Sequence, residues 1–190
     1  MTFDHPRGAP TLATDRLRLR PLTAADTEAV LAVFSDLVVT RYLDRLPMTT
    51  LADAVAGIER AAQEFEDGRA LRLGIVFPDD DRVIGTVSLL HIDWASRRAE
   101  VGYGLAQAYW HRGLAAEAVT AILDYGFNTL GFHRIEAELD PRNQASADLL
   151  LRHGFVREGL LRDRCIVGDE ISDSLIMGLL QREWRDRRPA

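Results

Sequence analysis

The chain has 190 residues, of which 47% are hydrophobic and 27% are charged. These values suit a folded globular protein and exclude disordered and fibrous classes. The net charge of −6 argues against a protein that binds DNA or RNA, because no basic surface is available to replace phosphate counterions.

The length favours a single domain over residues 1–190, with a loose arm at 1–13 and a tail at 183–190. No apolar run is long enough to cross a bilayer, so we expect no membrane partner. The single cysteine, Cys165, excludes a disulfide framework and favours the cytoplasm.

The predicted elements follow the order β-α-α-β-β-β-α-β-α-β-β, which indicates a mixed α/β fold. Leucines alternate with arginines at 14–20, which predicts a half-exposed strand. Thr23 is placed to cap the first helix, whose inward side chains we expect to be Ala25, Val30, Val33 and Phe34. The later elements are a short segment at 39–43, a helix at 53–66, strands at 71–77, 83–92 and 99–106, a helix ending at Gly131, a strand at 135–139, a helix at 144–153 and a hairpin at 155–167 and 170–180.

The clearest helical pattern in the chain begins after Gly113. Its apolar side chains share one face, so the main-chain N–H groups of residues 112–116 lie at a helix N-terminus, where donors are unsatisfied. Such an end attracts a phosphate or pyrophosphate, and small side chains let it approach the main chain. The Walker and dinucleotide fingerprints are both absent, since Gln107 stands where the latter needs a third glycine. The alternative is a glycine that only serves the turn.

Four stretches resemble the GNAT N-acetyltransferases, and in particular their RimJ/RimL-type branch. Trp110-x-x-Gly113-x-Ala115 resembles the family's Gln/Arg-x-x-Gly-x-Gly/Ala loop, with Trp110 at the first position as is usual in that branch. The segments 100–105, 143–146 and 14–22 match three further family motifs. The resemblance covers residues 14–180 and implies the GNAT acyl-CoA N-acyltransferase fold, a central, mostly antiparallel sheet with splayed strands flanked by helices.

The resemblance implies acetyl-CoA as co-substrate and no metal. The pantetheine arm would lie in a wedge between the strands at 99–106 and 135–139, bonded to main chain at Tyr103 and Leu105 and to the side chain of Asn143. Asn143 is also a natural helix cap, and that role alone would explain it. Gly102 and Gly104 are expected to introduce a bulge that opens the wedge, and the alternative is that they only relieve crowding. The pyrophosphate would bind the loop residues His111, Arg112, Gly113, Leu114, Ala115 and Ala116.

Glu100 is the candidate general base, and Ser146 is the candidate proton donor to the leaving thiolate. Many family members carry a donor tyrosine at the position of Leu150, so that role is vacant here, and Ser146 lies one turn earlier on the same helical face. The alternatives are a paired surface carboxylate and an ordinary serine near a helix start. Tyr42, Trp94 and Asp173 are predicted to contact the acceptor, with Asp173 a candidate for attracting a cationic one.

The resemblance implies transfer of an acetyl group from acetyl-CoA to a primary amine, a protein N-terminus or a small molecule, by direct attack on the thioester. An α-amino group, with a pKa near 8, becomes neutral more easily than a lysine near 10.4. The alternatives are a detoxifying acetyltransferase for polyamine-like or aminoglycoside-like compounds and a non-catalytic regulator that binds acyl-CoA. Related members pair, so a homodimer is among the expectations.

Overall fold

The computed structural model describes Pro6 and residues 8–186. Their core is an open eight-stranded sheet with the order β1-β2-β3-β4-β5-β6-β8-β7. All neighbouring strands are antiparallel except β5 and β6. The strands are β1 (Leu12–Ala13), β2 (Arg18–Pro21), β3 (Leu71–Phe77), β4 (Asp80–Asp93), β5 (Arg98–Leu105), β6 (Arg134–Leu139), β7 (Val156–Val167) and β8 (Glu170–Leu180). The helices are α1 (Thr27–Phe34), α2 (Leu37–Thr40), α3 (Leu51–Glu66), α4 (Leu114–Asp124), α5 (Gln144–His153) and α6 (Gln181–Asp186). The predicted mixed α/β class is confirmed.

Helices cover both faces of the sheet. A large buried cluster joins α4 and α5 to the central strands, with Leu114, Ile122 and Leu150 packed among strand residues such as Val101 and Ile135. A smaller cluster joins α1 and α3 to β3 and β4. No helix in the described part of the chain is long and apolar enough to cross a membrane.

The start of the first helix differs from the prediction. Thr23 and Asp26 form a capping box over one 3₁₀ turn, Ala24–Asp26, before α1 begins. Because this turn lies at the surface, Ala25 is exposed and the expectation that it faces the core is wrong. Val30, Val33 and Phe34 are buried as predicted. The segment expected at 39–43 is instead the helix α2, which Asp36 caps.

The described residues near each end of the chain are more ordered than expected. Leu12 and Ala13 pair with Leu19 and Arg18, so the arm already contains a strand. Trp184 in α6 is 6% exposed, packs on Phe127 and donates its indole N–H to Asp124. The prediction of a loose arm and tail is therefore wrong at residues 12–13 and 183–186. Residues 1–5, 7 and 187–190 lie outside the described residues.

The parallel strands β5 and β6 are paired at one end only. The two strands pair at Arg98, Ala99 and Glu100, whereas β5 stays paired with β4 as far as Leu105. A gap therefore opens between β5 and β6 beyond Glu100, at the place where the wedge was expected.

The expected bulge at Gly102 and Gly104 is wrong, because the β4–β5 register is unbroken from Leu105 to Glu100. The irregularity lies in β4 instead, between Leu90 and Asp93, and it contains His91 with a φ of 48°. The glycines of β5 serve close packing. A Cβ on Gly104 would lie 3.0 Å from the Phe34 ring, and one on Gly102 would lie 3.2 Å from Leu90.

Candidate active site

The loop before α4 has an unusual backbone. Gly113, with a φ of 76°, is the residue that precedes α4, and His111 has a φ of 58°. Two left-handed residues so close together turn successive N–H groups toward one side, which suits an anion. The indole N–H of Trp110 donates to the carbonyl of Leu105 at 2.7 Å, which fixes the loop to the end of β5.

The loop is also held from outside by the N-terminal segment. The Arg16 guanidinium donates to the carbonyl of Arg112 at 3.0 Å and to the Glu117 carboxylate at 2.6 Å. Glu117, in the first turn of α4, also accepts from the Thr14 hydroxyl and from the Arg16 N–H. Burial opposes ionisation of Glu117, but these hydrogen bonds hold its pKa below the ordinary value. The loop is thus fixed by a charged clasp of Arg16 and Glu117.

The edge of β5 that faces the gap offers main-chain groups. Ala106 donates its N–H to Ile84 on the β4 side. Because main-chain groups alternate in direction along an antiparallel pair, those of Tyr103 and Leu105 point the other way, toward the gap. The Leu105 carbonyl is already taken by Trp110, so this residue has its N–H to offer. The arrangement suits an extended ligand laid beside β5 as an added strand.

Tyr103 and Ser146 are joined by a short hydrogen bond. Their hydroxyl oxygens are 2.6 Å apart, although the residues are far apart in sequence. Asn143 accepts the Ser146 N–H with its side chain, so the capping role proposed for Asn143 is confirmed. Burial raises the pKa of Tyr103 to about 12, so its hydroxyl keeps its proton at neutral pH. Leu150, at the position of the family's tyrosine, is 1% exposed in the core.

Glu100 lies at the point where β5 and β6 separate. Its side chain is 23% exposed and accepts from the ring of His91 at 3.0 Å. Burial raises the pKa of Glu100 above its ordinary value, with the His91 hydrogen bond opposing part of the effect. A half-buried carboxylate with a raised pKa is suited to accept a proton.

Glu100 and Ser146 lie on opposite faces of β5. Side chains alternate along a strand, so Glu100 shares a face with Gly102 and Gly104, while Tyr103 shares the other face with Val101 and Leu105. Because Tyr103 holds Ser146, the candidate base and the candidate acid approach the gap from opposite sides.

The three predicted acceptor residues are scattered. Tyr42 lies beside Arg142, whose guanidinium is 5.8 Å from its ring, in the loop that leads into α5. Trp94 donates its indole N–H to the carbonyl of Gly68 and packs on Phe132. These contacts give it a structural role at the end of the sheet where β5 and β6 are paired.

Asp173 accepts the N–H of Asp163 at 2.9 Å. Asp163 has a φ of 51° and belongs to an irregular stretch of β7, so Asp173 stabilises that hairpin. By alternation along β8, Asp173 lies on the face opposite to that of Ile176, which pairs with Glu138. The structure therefore does not bring Asp173 or Trp94 together with Glu100. Tyr42 lies beside Arg142, in front of the helix α5 that carries Ser146.

Sequence reasoning missed the contacts that support the site. The Tyr103 hydroxyl, the Trp110 indole, the clasp of Arg16 and Glu117 and the hydrogen bond from His91 all join residues that pattern alone does not connect. The sequence held one signal for the clasp of Arg16 and Glu117. Glu117 is an acidic residue in the first turn of a helix whose N-terminus was predicted to bind an anion, so a cationic partner was to be expected for it.

The residues fit coenzyme A. A Cβ at Gly113 would narrow the loop beside Arg16, and the gap-facing edge of Tyr103 and Leu105 matches an amide-containing arm. No group of three or more metal-binding side chains occurs within the described residues.

Comparisons with known proteins agree with this geometry. Residues 16–156 match the model of the acetyltransferase (GNAT) domain. The N-acetyltransferase p20 of Bacillus licheniformis is 38% identical over 174 residues, which cover 92% of this chain and 98% of that protein. The ribosomal protein uS5-alanine N-acetyltransferase of Escherichia coli is 32% identical over 124 residues, or 65% of this chain and 64% of that protein. In its fold the chain is similar to spermidine N-acetyltransferase from Vibrio cholerae in complex with CoA and spermine, with a TM-score of 0.79 at 24% identity over 90% of this chain and 99% of the other.

Proposed function

The chain belongs to the GNAT family of acetyl-CoA-dependent N-acetyltransferases, and we propose that Glu100 and Ser146 serve the transfer from opposite faces of β5. The observation that carries this proposal is their placement at the gap between β5 and β6, one on each face. A thioester held in that gap would be open to an amine on the Glu100 face and to a proton donor on the Ser146 face.

Glu100 is the proposed general base. An amine must lose its proton before or during attack, and a carboxylate within reach, directly or through one water, accepts that proton. The raised pKa of Glu100 brings its basicity closer to that of the amine than an exposed glutamate would be. His91 orients the carboxylate through its hydrogen bond.

Ser146 is the proposed proton donor. As the new C–N bond forms and the C–S bond breaks, the departing thiolate needs a proton, which the Ser146 hydroxyl supplies. Ser146 then regains a proton from water, and Glu100 releases to water the proton taken from the amine. If the neutral Tyr103 hydroxyl donates to the Ser146 oxygen, the serine proton is directed into the gap and becomes easier to give away.

The loop before α4 is the proposed site of the diphosphate. The N–H groups of residues 112–116 supply donors at the positive end of a helix dipole, and Arg112 lies exposed beside them. His111, Gly113, Leu114, Ala115 and Ala116 complete this proposed site, with Tyr103, Leu105 and Asn143 beside the pantetheine arm. Acetyl-CoA, when bound, supplies the activated acyl group.

The proposed acceptor is a primary α-amine, either a protein N-terminus or a small molecule. Its lower pKa makes it neutral more often than a lysine at physiological pH. Two relatives support the wider class of primary amines, since one is named for an alanine of ribosomal protein uS5 and another for spermidine. Action in the cytoplasm and pairing into a homodimer stay predictions.

An acetyl-CoA turnover screen tests this proposal. The panel contains peptides with different N-terminal residues, the same peptides with a blocked N-terminus and a free lysine, and small amines. We expect thiol release that depends on an unblocked α-amine. Slow hydrolysis with no response to any amine would instead support the acyl-CoA-binding regulator, and preference for lysine would contradict the α-amine assignment.

A further inference from the structure

Two arginines lie on the same face of the sheet as Glu100. Arg72 on β3 is paired with Ser88 on β4, and Ser88 is paired with Gly102 on β5, so the three residues form one row across the sheet. Glu100 is two residues from Gly102 on the same face. From the strand spacing, the Cα atoms of Arg72 and Glu100 are about 12 Å apart, close enough for their side chains to contact one small ligand.

Arg45 lies above the same region. Its guanidinium carbon is 4.8 Å from the centre of the Phe34 ring. Phe34 in turn covers Gly104 on β5, where a Cβ would come within 3.0 Å of the ring. Arg45 therefore lies over β5, on the face from which the acceptor is proposed to approach.

Within the described residues, neither guanidinium group makes an ion pair shorter than 3.6 Å. The nearest carboxylate oxygen to Arg72 belongs to Glu64 at 3.6 Å, and its contact with the Ser88 hydroxyl is 3.5 Å, both long. Among the residues that the structure describes, no carboxylate lies within ion-pair distance of Arg45. Its nitrogens are not among the buried atoms that lack a partner, so they keep contact with solvent.

The surroundings of Arg45 and Arg72 penalise their charge. Burial lowers the pKa of Arg45, the charge of Arg72 lowers it further, and the charge of Asp44 opposes part of the effect. Burial also lowers the pKa of Arg72, with Glu64 and Asp44 opposing part of the effect. Burial makes both charges costly to keep, and an anionic ligand bound by the two guanidinium groups would reduce that cost.

We propose that the amine acceptor carries an anionic group, a carboxylate or a phosphate, which Arg45 and Arg72 bind while Glu100 faces the amine. The proposal rests on the proposed function, since it concerns the acceptor of the same reaction. A compact acceptor such as an amino acid, a phosphorylated amino alcohol or an N-terminal residue with an acidic neighbour fits this pair of charges. A polyamine does not, because its second ammonium group would meet the guanidinium groups.

A matched acceptor series tests the proposal on the unaltered protein. Serine carries a carboxylate, serinamide is neutral, and O-phosphoserinamide carries a phosphate, while all three keep the α-amine. Peptides that begin Ser-Asp or Ser-Asn extend the comparison to N-termini, and spermidine is the cationic member. We expect kcat/KM, expressed per neutral amine, to be about 10- to 100-fold higher for one of the anionic acceptors than for its neutral partner.

The same series separates the two proposals. If no amine in the series or in the wider screen is acetylated, the proposed α-amine acceptor is wrong. If neutral and anionic partners are acetylated equally, or spermidine is preferred, only the anion site is overturned. Preference for serine over O-phosphoserinamide, or the reverse, identifies the anion as a carboxylate or a phosphate.

Variant Arg45→Gln tests the assignment to these side chains. Arg45 holds no ion pair, so we expect the fold to survive, which a thermal unfolding midpoint checks. The kcat/KM for the preferred anionic acceptor should fall about 10- to 100-fold, while that for its neutral partner and the KM for acetyl-CoA stay within twofold. Arg69→Gln, an exposed change in the loop before β3, is the matched control. An equal loss for neutral and anionic acceptors in Arg45→Gln would overturn the assignment.

Discussion

Tyr103 contributes to the site through two separate parts of the residue. Its main chain faces the gap between β5 and β6, while its side chain crosses to α5 and holds the Ser146 hydroxyl. A phenol with a pKa of about 12 remains a proton donor over the whole physiological range, so the orientation of Ser146 does not depend on pH. We therefore propose that Tyr103 is a positioning residue that acts through Ser146.

A double-mutant cycle tests that relation. We expect Ser146→Ala to lower kcat by about 10²-fold, because a proton donor is lost. Tyr103→Phe should lower kcat by about 3- to 10-fold, since only the orientation of the serine is lost. Because Tyr103 acts through Ser146, the double variant should be no slower than Ser146→Ala, and CoA affinity by calorimetry should be unchanged. Additive losses would show that the two hydroxyls act independently.

Variant Glu100→Gln should lose activity and gain stability. Turnover should fall by at least about 10²-fold if Glu100 is the base. Its pKa is raised in the folded protein above the ordinary 4.5, so the carboxyl stabilises the fold below that pH and loses this contribution as the pH rises through the folded pKa. Between pH 4 and pH 7.5, denaturant unfolding should therefore show the free energy of unfolding of Glu100→Gln rising relative to that of the unaltered protein.

The exposed change Glu66→Gln, on α3, is the control for Glu100→Gln. It should alter neither turnover nor the pH dependence of stability. If Glu100→Gln retains full turnover while its stability follows the expected trend, Glu100 is a buried carboxylate and not the base.

At the scale of elements, the start of α4 is specified by backbone geometry. Gly113 has a φ of 76°, which an L side chain adopts at a cost of about 1 kcal/mol or more. Arg16 lies within 3.4 Å of where a Cβ would be, so a larger side chain would also disturb the clasp of Arg16 and Glu117. The loop therefore needs glycine for its shape and for its contact with the N-terminal segment.

Variant Gly113→Val should weaken CoA binding at least tenfold in calorimetry, because the N–H groups of the loop would be displaced. Gly131→Val is the matched control, since Gly131 follows the same helical segment with a φ of 71°. Both variants should lose stability, but only Gly113→Val should lose CoA affinity. If Gly113→Val and Gly131→Val bind CoA with equal affinity, the loop is not part of the binding site.

Local patterns predicted most of the elements. The helix at 144–153 and the strands at 71–77 and 170–180 have the bounds that were predicted, because their caps and apolar periods are local signals. The bulge was misplaced, because glycines in β5 looked like irregularity when they serve packing under Phe34 and Leu90. Whether a glycine relieves crowding or distorts a strand depends on the neighbouring strand and helix, which a single sequence does not reveal.

For the candidate site, sequence motifs could name residues but not the contacts that orient them. Glu100, Tyr103, Gly113 and Ser146 were named from motifs, and the structure places them around one gap. The partners that orient them lie far away in sequence, as Thr14 and Arg16 do from Glu117. The structure gives Trp94 and Asp173 contacts that stabilise a turn and a hairpin, and sequence does not distinguish such a residue from one that binds a substrate. Their contact with the acceptor stays a prediction.

At the scale of the whole molecule, the last described helix closes the core. Trp184 packs on Phe127, and its ring also stacks on His153 at the end of α5. His153 contacts the carbonyl of Ala116 in the first turn of α4. The C-terminal helix therefore supports the two helices that carry the proposed diphosphate loop and Ser146.

Variant Trp184→Ala should reduce the free energy of unfolding by about 3–5 kcal/mol, the usual cost of removing a buried tryptophan. Urea unfolding measures the change, and Arg185→Ala, an exposed neighbour on the same helix, is the control. A loss of stability below about 1 kcal/mol would mean that α6 contributes little to the core.

The single-ended pairing of β5 with β6 also bears on inhibition. A molecule that covalently joins an acceptor to coenzyme A would occupy both faces of the sheet, with its linker passing between the strands beyond Glu100. The three paired positions close one end of that passage, so the conjugate has to enter and leave sideways through the other. We expect such conjugates to dissociate much more slowly than either half alone, and the length of the linker to decide whether they bind at all.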